Sequence, residues 1–167
     1  MARRPLLAVA LMIALFPPSA ASAQRIRSSS VTPSYPQVGL RVGYNFGQKL
    51  GSLGAQLRLP LSERLDLLPS GDIFRGKTVT NWQLNGDVAL RLGESRQLYA
   101  GTGVGALRRS GRGTKAGLNL FFGVAPPPRN RRHANTQPYL EFRWTLVDGD
   151  RPFHLLLGVN RRLGRGR

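Results

Sequence analysis

The chain carries two histidines, His133 and His154, and no cysteine. A histidine does nucleophilic or acid–base work only with a nucleophile in hydrogen-bond reach and a third group orienting the ring. His154 lies between Phe153 and Leu155, with Leu156 beyond, and no serine stands at strand spacing from it. It reads as an interior or rim residue, and an enzyme working through His154 is the remotest reading. His133 stands among arginines, without the three or four ligands that zinc requires. The missing cysteines exclude a disulfide scaffold, a thiolate metal site and a lipid-modified cysteine. Gly101-Thr-Gly-Val-Gly105 imitates a phosphate loop, but such a loop opens a helix, and here an apolar alternation runs straight on. No catalytic residue, metal site or cofactor is expected.

What remains is arginine. The net charge is +17, and of 25 basic residues only Lys49, Lys77 and Lys115 are lysines. A nucleic-acid binder concentrates its charge on one helix or stripe, whereas these arginines are scattered. Zinc-finger spacing, an RNP-like aromatic motif and a helix-turn-helix pattern are all missing. Nucleic acid is not an expected partner.

The elements that must position these residues begin behind an export signal. Arg3 and Arg4 precede the apolar run 6–16, and Ala21-Ser22-Ala23 fits a cleavage site. The run is too short for a membrane helix, which needs about 20 residues. Residues 1–23 therefore read as a signal peptide for the general secretory route, cleaved near Ala23. Residues 24–37, polar and broken by Pro33 and Pro36, read as a flexible leader.

From residue 38 the chain alternates. Leu40, Val42, Tyr44 and Phe46 fall on one face of a strand, and Arg41, Gly43, Asn45 and Gly47 on the other. The same pattern marks strands near 38–47, 53–61, 65–75, 80–93, 97–107, 115–125, 137–147 and 152–163. The third is the least regular, because Pro69 and Gly71 interrupt it. No segment has a helical period, so the fold class is all-β, an eight-stranded up-and-down antiparallel barrel over 38–164 with a tail at 165–167.

The two faces decide which solvent lies outside. One carries Leu, Val, Phe, Tyr and Trp on nearly every strand. The other carries glycine, amides and charges. An eight-stranded lumen is barely wide enough for side chains, so the bulky apolar face belongs outside, in lipid. Inside, Arg41, Arg58, Arg91 and Arg143 are expected to pair with Asp87 and Glu141, since buried charges persist only when paired. Tyr44, Phe46, Phe74, Trp82, Trp144 and Phe153 all fall near one rim by parity, as an interfacial aromatic girdle would. The competing architecture is a secreted, soluble, lipocalin-like carrier with its apolar face inward.

Val38-Gly-Leu-Arg-Val-Gly-Tyr-Asn-Phe46, Tyr99-Ala-Gly-Thr-Gly-Val-Gly105, Lys115-Ala-Gly-Leu-Asn-Leu120 and Pro138-Tyr-Leu-Glu-Phe-Arg-Trp144 resemble the strands of small outer-membrane β-barrel proteins, the OmpA/OmpX-like outer membrane protein beta-barrel domain group. The resemblance spans about 38–164. It implies a transmembrane barrel of the bacterial outer membrane, both termini periplasmic, inserted by the barrel-insertion machinery. Family members usually end on an aromatic residue, whereas this chain runs past Leu163 to Arg167, with Arg161 in a slot normally apolar. On this topology Arg108, Arg109, Arg112 and Lys115 lie in an outer loop, where arginine forks suit lipopolysaccharide phosphates. The expected function is a non-catalytic barrel with a narrow, polar, plugged lumen, serving envelope structure or surface interaction. A small-solute pore is the alternative.

Overall fold

A computed structural model describes residues 35–76, 80–126, 135–147 and 151–164. The signal peptide, most of the leader, His133, Asp148, Asp150 and the tail at 165–167 lie outside the described residues. Eight strands follow one another: β1 (Gln37–Asn45), β2 (Leu50–Pro60), β3 (Leu65–Arg75), β4 (Thr80–Leu92), β5 (Leu98–Arg109), β6 (Gly113–Val124), β7 (Thr136–Leu146) and β8 (Phe153–Arg162). Each pairs antiparallel with its neighbour, and β1 pairs with β8 to close the barrel. Closure leaves no sheet edge along the wall, the condition for strands to cross a bilayer.

Burial alternates along every strand and is inverted relative to a water-soluble protein. Leu40 is 69% exposed while its neighbour Arg41 is 1% exposed. Leu53, Ile73, Leu84, Val104, Leu120 and Leu157 face outward with it, whereas Asp66, Asp87, Glu141 and Arg143 face the lumen. Each large aliphatic side chain favours an apolar medium over water by about 1.5–3 kcal/mol. Repeated around the circumference, that preference requires lipid outside. The chain is a transmembrane β-barrel. The soluble-carrier architecture is overturned by the same residues, because an apolar ligand would meet Arg41 and Asp87 inside.

Two departures from the sequence reading have local causes. Phe74 does not join the girdle: it is buried in the lumen, its ring 5.1 Å from that of His154. Asp66, Leu68, Ser70, Asp72 and Phe74 share the inward parity of β3, and a rim position does not override parity. Six outward aromatics, Tyr44, Phe46, Phe122, Phe142, Trp144 and Phe153, form a contiguous ribbon. Phe46 stacks on Phe153 at 5.4 Å, Phe153 lies 5.0 Å from Trp144, and Trp144 lies 5.9 Å from Phe122. The second departure is the β5–β6 loop, expected over 108–114. Gly111 (φ 78°) and Gly113 (φ 73°) occupy left-handed backbone, so the hairpin turns within three residues and both strands run longer.

Pro69 sits within β3 and is accommodated on one side only. The β3–β4 ladder runs through it, opposite Gly86. The β2–β3 ladder pairs Gln56 with Ser70 and resumes at Leu59–Leu67, skipping the two positions between. Proline lacks the N–H for that ladder, and the register is the same on both sides of the gap.

Orientation toward lipid makes a direct prediction. Val104→Arg, midway along β5 on the outward face, will cost about 2–4 kcal/mol in a bilayer. Reversible denaturant unfolding of the vesicle-inserted protein, followed by tryptophan fluorescence, measures it.

Candidate functional site: a charged lumen and a basic mouth

The inward faces of all eight strands meet in one polar network. Near the terminus-bearing rim, Asp66 receives Arg91 through Nε at 2.8 Å and Nη2 at 2.7 Å. Arg58 lies 3.4 Å from the same carboxylate, with its guanidinium 4.9 Å above the Tyr99 ring. Midway up, Arg41 grips Asp72 with two nitrogens, Nε at 2.8 Å. It also donates to Gln56 Oε1 at 3.2 Å and to Ser70 Oγ at 2.9 Å. Arg143 donates to Asp87 Oδ2 at 2.6 Å and to Glu141 Oε1 at 3.0 Å, and stacks 4.7 Å over Phe121. Tyr99 Oη donates to Glu141 Oε2 at 3.1 Å.

Amides join these groups. Asn85 donates to Ser70 Oγ at 3.1 Å, and Asn119 donates to Asn85 Oδ1 at 2.9 Å and Asp87 Oδ1 at 2.8 Å. Gln56 donates to Asn160 Oδ1 at 2.9 Å, carrying the network from β2 to β8. Bidentate, charge-assisted bonds are the strong members of such a set.

Within this network the charges pair off: among the described residues Arg41, Arg58, Arg91 and Arg143 face Asp66, Asp72, Asp87 and Glu141, while Arg109, Lys115 and Arg162 lie toward the two rims on the same inward parity. The excess of the chain therefore resides outside this paired set.

All six residues read from the sequence as a lumen network line this interior. Sequence reasoning missed Asp66 and Asp72, which sit on the proline-interrupted strand. A signal was present: four inward arginines against only Asp87 and Glu141 leave an excess that a buried lumen does not tolerate. Inward glycines open the space. A Cβ on Gly103 would collide with Asp87, and one on Gly101 with the Phe121 ring. The glycine-rich stretch is thus clearance inside a strand.

The basic quartet is not brought together as a whole: only Arg109 and Arg112 line a common cavity, at the mouth. Arg108 faces outward, opposite Trp82 in the β4–β5 register. Arg109 and Lys115 lie on the lumen parity of their strands, and Arg112 is in the turn. His154 faces the lumen, where its Nε2 lies 2.7 Å from Asn45 Nδ2. Among the described residues no group of three or more His, Asp or Glu side chains is arranged to hold a metal ion.

Comparison with solved structures decides the fold. The N-terminal β-barrel domain of Pseudomonas aeruginosa OprF superposes with a TM-score of 0.64 at 13% identity, covering 77% of this chain and 96% of that one. The fold is that of the small outer-membrane β-barrels. Neisserial surface protein A matches with a TM-score of 0.54 at 12% identity, over 77% of this chain and 96% of its own. The outer membrane enzyme PagL matches equally, 0.54 at 13% identity over 76% and 99%. No family model matches the sequence, and no curated protein does. One fold thus carries a surface protein and an enzyme, so role must come from side chains.

The pairing predicts an asymmetry between single and double substitutions. Arg41→Met will destabilise the barrel by about 3–5 kcal/mol, because Asp72 is left buried and unpaired. Arg41→Met combined with Asp72→Leu will recover more than half of that loss. Denaturant titration of the four members of the cycle measures both.

Proposed function

We propose that this protein is a non-catalytic integral barrel of the bacterial outer membrane, its lumen closed by the arginine–carboxylate network, serving envelope structure or surface interaction. The observation that carries the reading is the ion-paired, cross-linked lumen. An ion moving through it would have to displace Arg41 from Asp72 and Arg143 from Asp87, contacts made in a low-dielectric interior where unpaired charge is costly. Catalysis on lipid finds no support at His154, whose ring faces the lumen side of the wall and meets an amide. In this reading Arg108, opposite Trp82 on the outward face, and Arg112 at the turn are the contacts to headgroup phosphates such as those of lipopolysaccharide. Lys115 and Arg109 belong instead to the mouth. Export through the general secretory route, with cleavage near Ala23, and delivery to the barrel-insertion machinery complete the reading.

Planar-bilayer recording is the test of closure: the purified protein will show no steady open-channel current. Sustained single-channel steps would establish the small-solute pore in its place. Placement is tested by fractionating cells, where the chain will resist carbonate extraction and migrate faster on detergent gels before boiling than after. Recovery of folded monomer in the detergent-free aqueous fraction overturns it.

A further inference from the structure

The rim opposite the termini holds a feature that the closed lumen does not use. The β1–β2 turn, the start of β4, the β5–β6 turn and the residues before β8 enclose a bowl of about 450 Å³, open to solution. Gln48, Asn81, Arg109, Ser110, Arg112 and Arg151 line it. No Asp or Glu is among the described lining residues.

The floor is fixed. Asn81 donates to Gln48 Oε1 at 3.0 Å and accepts the Ser110 N–H at 2.8 Å. The Gln48 N–H donates to Asn45 Oδ1 at 2.9 Å, and Asn45 in turn meets His154 below. These bonds tie the β1–β2 turn to β4 and to the β5–β6 turn. That turn is itself closed by the Arg112 N–H on the Arg109 carbonyl at 3.1 Å. Arg109, on the inward parity of β5, and Arg112, in the turn, both line the bowl.

We propose that this bowl is a binding site for a small phosphate-bearing anion. Three arginines, two from the β5–β6 hairpin and one from the segment before β8, line a cavity within the usual range for small-molecule sites, about 300–1,000 Å³. Planar guanidinium forks match phosphate oxygens two at a time. The carboxylates beneath the floor are engaged by their own arginines, and a concave site with low-dielectric walls concentrates the field of the mouth arginines. Arg109 has a partner in the folded chain, and the site does not require otherwise. A guanidinium offers five donors and accommodates a second acceptor. The inference stands apart from lumen closure, so conductance would leave it intact.

The test uses the full folded chain in phosphatidylcholine nanodiscs, titrated with inorganic pyrophosphate. NMR follows the backbone amides of Gln48, Ser110 and Arg112 and the arginine Nε–H groups. A second arm replaces pyrophosphate with phosphatidic acid in the disc. Saturable shifts confined to this rim are expected, with affinity about tenfold or more weaker in the Arg109→Gln/Arg151→Gln variant. Heat-modifiable migration confirms that the variant folds, and Arg112→Gln serves with the same expected loss should it not. Saturation by pyrophosphate assigns a soluble phosphate ester as the source of the anion. Saturation with phosphatidic acid alone assigns a lipid headgroup. Non-saturating shifts of equal size at Ser62 and Arg64 on the opposite rim, or unchanged affinity in both variants, overturn the proposal.

Discussion

A charge taken out of water must meet its opposite, and the interior of this barrel is arranged around that requirement. Arg41 of β1 reaches over β2 to Asp72 of β3, and Arg143 of β7 reaches across the lumen to Asp87 of β4. Backbone ladders join only neighbouring strands, so these side chains are what hold distant strands at a fixed separation. Breaking one partner strands the other in a low-dielectric space, which makes the network cooperative.

The outer face obeys the complementary rule. Lipid gives no hydrogen bonds, so the wall presents aliphatic side chains, and the aromatic ribbon runs from Tyr44 and Phe46 through Phe153 and Trp144 to Phe122. The two rules are linked through glycine. Tyr99 and Tyr139 fit inside because their rings lie against Gly123 and Gly158, where any Cβ would collide with them. An Ala at either position would push a ring into space that the arginines occupy. Small residues on the inward face are therefore as much a part of the charge network as its charged members.

Strand number, order and facing were legible in the sequence, because alternation with period two survives wherever each face meets one solvent. Strand three blurred that signal. Pro69 and Gly71 mask the parity of Asp66, Ser70, Asp72 and Phe74, and with it went both missing acids and the true place of Phe74. Composition could have restored them, since a lumen must be neutral even where its strands are irregular. The basic loop failed for another reason. Arg108 and Arg109 are adjacent in sequence and lie on opposite sides of a strand, so a cluster in the chain is not a cluster in space.

A paired interior also fixes where function resides. Among the described residues, buried Arg41, Arg58 and Arg143 and half-buried Arg91 pair with four buried carboxylates inside the barrel, so the excess behind the net charge of +17 lies outside that paired set. A lumen held by cross-barrel ion pairs cannot exchange partners without crossing states in which a buried charge stands alone, so it is a poor place for traffic or for chemistry. The mouth has the opposite character. Its arginines border water, its amide floor is rigid, and a bound anion can come and go without disturbing the pairs beneath. Stability is concentrated in the lumen and recognition at the rim, and pairing within the first is what lets the second attract anions.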